Sequence, residues 1–268
     1  MSTQAIPADV QAVSGYAGLQ PAPASVAGIP PDMLDGGLAR DLSDASLALA
    51  RRFHAGATMW CIAPQWEPHA HHMAVEFVHP VIVGKRALPA FALCAPDVVA
   101  QARVSVRPGD IVIAVAAADD RAVRDLMRRT PAWGGLSVWI GSGARPAAGS
   151  ADHVLWIDDP NPLAPATGRF VIMYHLLWEL THVCFEHPGL LTPPVAECND
   201  EVCVTCSDEG RLAEVILAPS TPFGDALVRT EAGEERIDVT MVAPVTPGDL
   251  VLIHAGSALT RLDPEMGR

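Results

Sequence analysis

The stretch "GDIVIAVAAADDRAVRDLMRRTPAWGGLSVWIGS" (residues 109–142) places two continuous apolar runs on either side of a charged segment. Neither run alternates apolar with polar residues, and both are of strand length. Strands read this way when both their faces are buried, as in a parallel sheet covered by helices. The segment between them, "DDRAVRDLMRRTPAWG" (119–134), is then the crossover helix that joins two parallel strands.

The same grammar extends in both directions. Before it come a helix, "DLSDASLALARRFHAG" (41–56), with Leu42, Ala45, Leu49 and Phe53 near helical spacing and Gly56 as a stop, and a strand, "ATMWCIAP" (57–64). A helix, "HHMAVEFV" (71–78), a strand, "LPAFALCA" (88–95), and a helix, "DVVAQARVSV" (97–106), follow. After it come the strand "ADHVLWID" (151–158) and the long helix "GRFVIMYHLLWELTHVCFE" (168–186). The expected fold class is α/β, an open parallel sheet with helices on both faces.

That pattern stops at "HPGLLTPPVAE" (187–197), where three prolines mark a break. Beyond it lie short β segments, "LAEVILA", "DALVRTE", "EERIDVTMV" and "DLVLIHAG", separated by turn signals such as "STPFGD", "EAGEE" and "VTPGD". A small, mostly antiparallel β domain is predicted. The division is an irregular, Pro- and Ala-rich arm at 1–35, the α/β domain at 36–187, a Pro-rich linker at 188–197 and the β domain at 198–268.

Half of the 268 residues are hydrophobic, enough for a buried core, and no run of about eighteen apolar residues suggests a membrane span. The first residues, "MSTQAIPADVQAVSGYAGLQ", carry no basic and apolar leader pattern, so a cytoplasmic location is expected. The net charge is −13, and residues from Ala196 onward carry 14 Asp/Glu against 5 Lys/Arg. Such a field repels phosphate backbones, which excludes nucleic acid as the expected partner and favours a basic protein surface.

Six cysteines in a reducing compartment point to metal, redox or packing roles. Cys61, Cys94 and Cys184 sit singly in apolar contexts and read as small buried hydrophobes. Cys198, Cys203 and Cys206 form a close acidic trio in "ECNDEVCVTCSDEG" (197–210). The trio is open to three readings: thiolate ligation, a redox pair at Cys203 and Cys206, or core residues of a strand. An iron–sulfur cluster would need a fourth cysteine, and none follows.

The segment "DVTMVAPVTPGDLVLIHAGSALTRLDPE" (238–265) resembles the C-terminal half of the HypC/HupF hydrogenase-maturation chaperones: a strand, a Pro-Gly-Asp turn, a His-Ala-Gly strand and an Ala-x-x-x-Leu-Asp helix. The resemblance covers Cys203 to Glu265. It implies an OB-like β barrel that transiently carries an iron centre with cyanide and carbon monoxide ligands. It implies two partners, a HypD-like scaffold protein and the [NiFe]-hydrogenase large-subunit precursor. His254 matches the family's histidine ligand, with Cys206 or Cys203 supplying the thiolate.

The α/β part resembles the sugar isomerase (SIS) fold, and within it the phosphoheptose isomerases, which implies homodimerisation through that domain. The phosphate-binding loops of that family are replaced by "APQWEPHA" (63–70) and "AAADDR" (116–121). Trp66 and Pro68 are bulky where glycine is needed, and Asp119 and Asp120 would repel phosphate. By the same resemblance His72 and Glu76, at i and i+4, match the isomerase His-x-x-x-Glu, and His175 matches its second histidine. The family's glutamine is Thr167 here, and His69, His71, His79 and His182 lie nearby in sequence. His72, Glu76 and His175 suit Zn or another divalent ion; the alternative is an inherited packing pair. The reading is a hydrogenase-maturation accessory protein; the rival is a metal-dependent isomerase or lyase with Glu76 as base and His175 as acid.

Overall fold

The structure is a computed structural model that describes residues 36–80, 82, 84–192, 210–221 and 223–262. The arm at 1–35 and the thiols of Cys198, Cys203 and Cys206 lie outside the described residues.

The first part alternates helix and strand: α1 (Gly36–His54), β1 (Met59–Ile62), α2 (Glu67–Val78), β2 (Ala90–Ala92), α3 (Val98–Ser105), β3 (Ile111–Val115), α4 (Arg121–Arg129), β4 (Leu136–Ser142), β5 (His153–Ile157) and α5 (Gly168–Glu186). The five strands pair in parallel in the order β2-β1-β3-β4-β5. The open parallel sheet expected from the apolar runs is therefore present.

Strand β3 shows why those runs do not alternate. All five of its residues are buried, and its two-residue period divides them between two cores. Ile111, Ile113 and Val115 meet Leu49, Phe53, Met73, Phe77, Phe170 and Leu177 from α1, α2 and α5. Val112 and Ala114 face Val98, Ala102, Val123, Leu126 and Trp133 on the α3 and α4 side.

Pro188–Leu190 forms a single 3-10 turn after α5, and Leu191 packs beside Ala50 and Cys184. The second part contains β6 (Arg211–Leu217), β7 (Asp225–Thr230), β8 (Gly233–Asp238), β9 (Leu250–His254) and β10 (Ser257–Leu262), closed into a barrel in the order β10-β8-β7-β6-β9. Ala213, Val215, Val228, Ile237, Val251 and Ile253 fill its interior. One expectation is corrected here: residues 257–262 form a strand instead of a helix, because they pair antiparallel with β9 and Ser257 bridges to Asp238 on β8, which closes the barrel.

The barrel's outer wall lies against the α3/α4 side of the α/β part. Alternation along β6 turns Ala213 and Val215 inward and Leu212 and Glu214 outward. Leu250, opposite Glu214 in the ladder, joins the α/β core. Glu214 is only 2% exposed. It accepts hydrogen bonds from Arg103 Nη2 at 2.8 Å, Arg129 Nη1 at 2.6 Å and Trp133 Nε1 at 2.7 Å. In return Arg229 donates to the carbonyls of Arg103 and Val106 at 2.6 and 2.7 Å. Gly134 permits this approach: it has φ +75°, and a Cβ there would lie 3.1 Å from the backbone of both Pro108 and Glu231. Among the described residues no helix is long and apolar enough to cross a membrane.

Candidate metal centre

Helix α2 starts directly after the C-terminal end of β1, with Pro68 in its first turn, where the missing N–H leaves no helical bond unmade. Trp66, which precedes the helix, packs against the core between α2 and α5. Trp66 and Pro68 thus serve the helix start. Asp120 likewise starts a helix, since its carboxylate caps α4 by accepting from Val123 N at 3.0 Å. It also accepts from Gln65 Nε2 at 3.5 Å, and so joins the two loops that follow β1 and β3. The sheet order reverses between those two strands, which is where ligands of open α/β sheets usually bind. A carboxylate bridged to an amide there gives an anionic ligand no cradle.

The sequence set His72, Glu76 and His175 does come together. One turn of α2 places His72 Nε2 3.2 Å from Glu76 Oε1, and α5 brings His175 Nε2 to 3.4 Å from that oxygen. The two imidazole Nε2 atoms are 3.3 Å apart. These three atoms form a nearly equilateral triangle. A tetrahedral ion with bonds of about 2.0–2.1 Å would hold its ligands roughly 3.4 Å apart, so the donors fit a divalent ion of zinc size without rearrangement. The side chains are 39%, 17% and 44% exposed for His72, Glu76 and His175, which leaves the fourth position facing solvent.

Tyr174, which the sequence pattern did not single out, completes this set. Its hydroxyl lies 2.7 Å from His72 Nδ1 and 3.5 Å from His69 Nδ1, while His69 Nε2 is 2.5 Å from the Pro165 carbonyl. One proton arrangement satisfies the whole chain: His69 Nε2–H donates to Pro165 O, Tyr174 O–H to His69, and His72 Nδ1–H to Tyr174. That tautomer leaves the His72 Nε2 lone pair for an ion. Burial pushes the Tyr174 phenol up, with the Glu76 charge adding to it, so the group stays a neutral hydroxyl. Partial burial lowers the His175 pKa; the Glu76 carboxylate opposes this and His72 adds to it, and the outcome favours the neutral imidazole that a metal needs. The adjacency of Tyr174 to His175 was the only sequence signal for its role.

Thr167 takes no part: its hydroxyl donates to Ala164 O at 2.6 Å at the entry to α5. His79 caps the end of α2, and His182 is buried against the carbonyls of Trp178 and Arg86. His254 ends β9, half-buried, and its hairpin partner is Ser257. The two residues between them, Ala255 and Gly256, both have positive φ, 49° and 79°, as a tight two-residue hairpin turn requires. Cys203 and Cys206, its expected companions, lie outside the described residues.

One cysteine assignment is corrected. Cys61 and Cys184 are buried as expected, but Cys94 is exposed. Strand β2 has only three residues, and after Leu93 N makes its bond to Cys61 O the chain leaves the sheet and turns Cys94 outward. It lies 3.6 Å from His71 Nε2.

Over the N-terminal part the chain is similar in structure to a phosphoheptose isomerase from Francisella tularensis, with 13% identity, a TM-score of 0.46, 58% of this chain and 87% of that chain covered. For a phosphoheptose isomerase from Neisseria gonorrhoeae the values are 16%, 0.43, 56% and 86%. No curated protein matches the chain in sequence. The β part is assigned by sequence: residues 197–268 match the model of the HupF/HypC family.

Proposed function

We propose that the protein is an accessory chaperone of [NiFe]-hydrogenase maturation. Its barrel would receive an iron–cyanide–carbonyl unit from a HypD-like scaffold protein and pass it to the large-subunit precursor. The observation that carries this reading is the HupF/HypC match over residues 197–268, which falls on a closed barrel whose His254 stands at the end of a hairpin strand. The iron unit is cargo. An imidazole from His254 and a thiolate from Cys203 or Cys206 suit low-spin Fe(II), with the soft sulfur as the stronger donor. The acidic tail would favour a basic partner surface, and the α/β part would bring two copies together.

Infrared spectra of the anaerobically purified full chain, co-expressed with maturation partners, test the reading. Cyanide and carbonyl stretches are expected in the wild type and absent from a Cys203→Ala/Cys206→Ala variant. A folded wild type that binds iron without those stretches would refute it.

A second reading rests on the His72–Glu76–His175 triangle: a metal-dependent isomerase or lyase. A divalent ion held there would polarise a carbonyl or hydroxyl oxygen, and Glu76, through the oxygen not committed to the ion, would take a proton from one carbon and return it to the next. Asp120 bridged to Gln65 argues against phosphorylated substrates. Sugar-phosphate turnover with added Zn that disappears in Glu76→Ala would establish this second reading.

A further inference from the structure

A second group of donors lies on the neighbouring face of α2. Glu67 and His71 are one turn apart, with Glu67 Oε1 3.4 Å from His71 Nε2, and Cys94 Sγ is 3.6 Å from the same nitrogen. All three donor atoms lie within 4.8 Å of one another. Around a tetrahedral zinc with bonds of about 2.0–2.1 Å to nitrogen and oxygen and about 2.3 Å to sulfur, the N···O separation is roughly 3.4 Å and the S···N separation roughly 3.6 Å. Both observed separations match.

Stability does not explain this arrangement. Glu67 and His71 side chains are 62% and 60% exposed, and such a pair on a helix surface contributes at most about 0.5 kcal/mol. An exposed thiol in a reduced protein is also an oxidation liability. Yet the three come from two separate elements, and Cys94 is fixed there because the preceding residue is still bonded to β1.

We propose that Glu67, His71 and Cys94 form a second, thiolate-containing site for a divalent transition ion of the zinc class, with a fourth position open to solvent. The site is independent of the barrel's cargo and of the His72–Glu76–His175 triangle. It is the softer of the two centres on α2, because it alone offers sulfur, so zinc is preferred over magnesium or manganese. As the sulfur–metal bond forms, the thiol proton leaves to solvent. His71 and His72 are successive residues, so the two donor sets stand about 100° apart around one helix.

Cobalt(II) titration of the reduced full chain distinguishes the sites, because only a thiolate ligand gives an intense near-ultraviolet charge-transfer band. Cys198, Cys203 and Cys206 are first replaced together by Ala to remove their thiols. In that protein saturating cobalt should develop the band, excess zinc should bleach it, and His72→Ala/His175→Ala should leave it intact. Adding Cys94→Ala should abolish it, and His71→Ala should weaken cobalt binding at least tenfold. A missing band in the triple variant, or a band that survives Cys94→Ala, would overturn the assignment. Both substitutions are at exposed positions, and circular dichroism checks that each variant is folded.

Discussion

Tyr174 decides which nitrogen of His72 faces the candidate ion. Removing its hydroxyl leaves His72 Nδ1 without the partner 2.7 Å away and frees the ring to take the other tautomer. Tyr174→Phe should therefore weaken divalent-ion binding at the triangle roughly 10- to 100-fold, measured by isothermal titration, and lower stability by about 1–3 kcal/mol, since buried His69 also loses its hydroxyl partner. His153 makes a different prediction. Burial lowers its pKa below the ordinary 6.5, partly offset by Asp152, Asp44 and Asp41. As pH falls through that ordinary value, the unfolded chain binds the proton first. The contribution is complete above about pH 6.5 and is lost as pH falls toward the folded-state pKa. An NMR titration should place the His153 midpoint below 6.5, and His153→Gln should flatten the acid slope of stability. At this scale the sequence was informative where donors recur at helical spacing, as with His72 and Glu76. It misled on Cys94, whose apolar context reads as buried but whose exposure depends on where a three-residue strand releases the chain.

The hairpin that ends in His254 shows how elements trade stability for position. Ala255 has φ 49°, a region in which a side chain costs about 1–2 kcal/mol and which Asn or Gly occupies more easily. Ala255→Asn should raise the stability of the barrel by about 0.5–1 kcal/mol in urea denaturation. If the turn sets the direction of His254, the same variant should leave cargo binding intact, since Asn keeps both positive φ values. Legibility varied with the range of the contacts. β3 was readable because its burial on both faces leaves a continuous apolar run in the chain itself. β10 was not, since "SALTRL" offers no alternation and becomes a strand only through pairing with β9 and the bridge to β8.

For the whole molecule, the junction between barrel and α/β part is held by a buried charge. Glu214 lies 111 residues from Arg103 and 85 from Arg129 in sequence, so no local pattern could announce it; "LAEVILA" reads as an ordinary strand with one polar position. Glu214→Ala would remove the carboxylate that Arg103, Arg129 and Trp133 share across the junction, while Arg129 keeps Asp125 at 2.8 Å, and should cost about 1–3 kcal/mol. Because Trp133 Nε1 donates to the same carboxylate, its fluorescence should report the loss before the barrel unfolds. That a parallel sheet gives way to a small β barrel was legible from the change in pattern along the chain, but the adhesion between them was not.

Leu212 and Leu250, on the barrel's outer wall, complete a core that belongs to the other half of the chain. Cutting the gene between the two halves would bare apolar surface and a carboxylate on one product and two arginines on the other. The junction thus works as a keystone: with one wall lent to a neighbour's interior, the two halves cannot be parted without exposing buried surface on both.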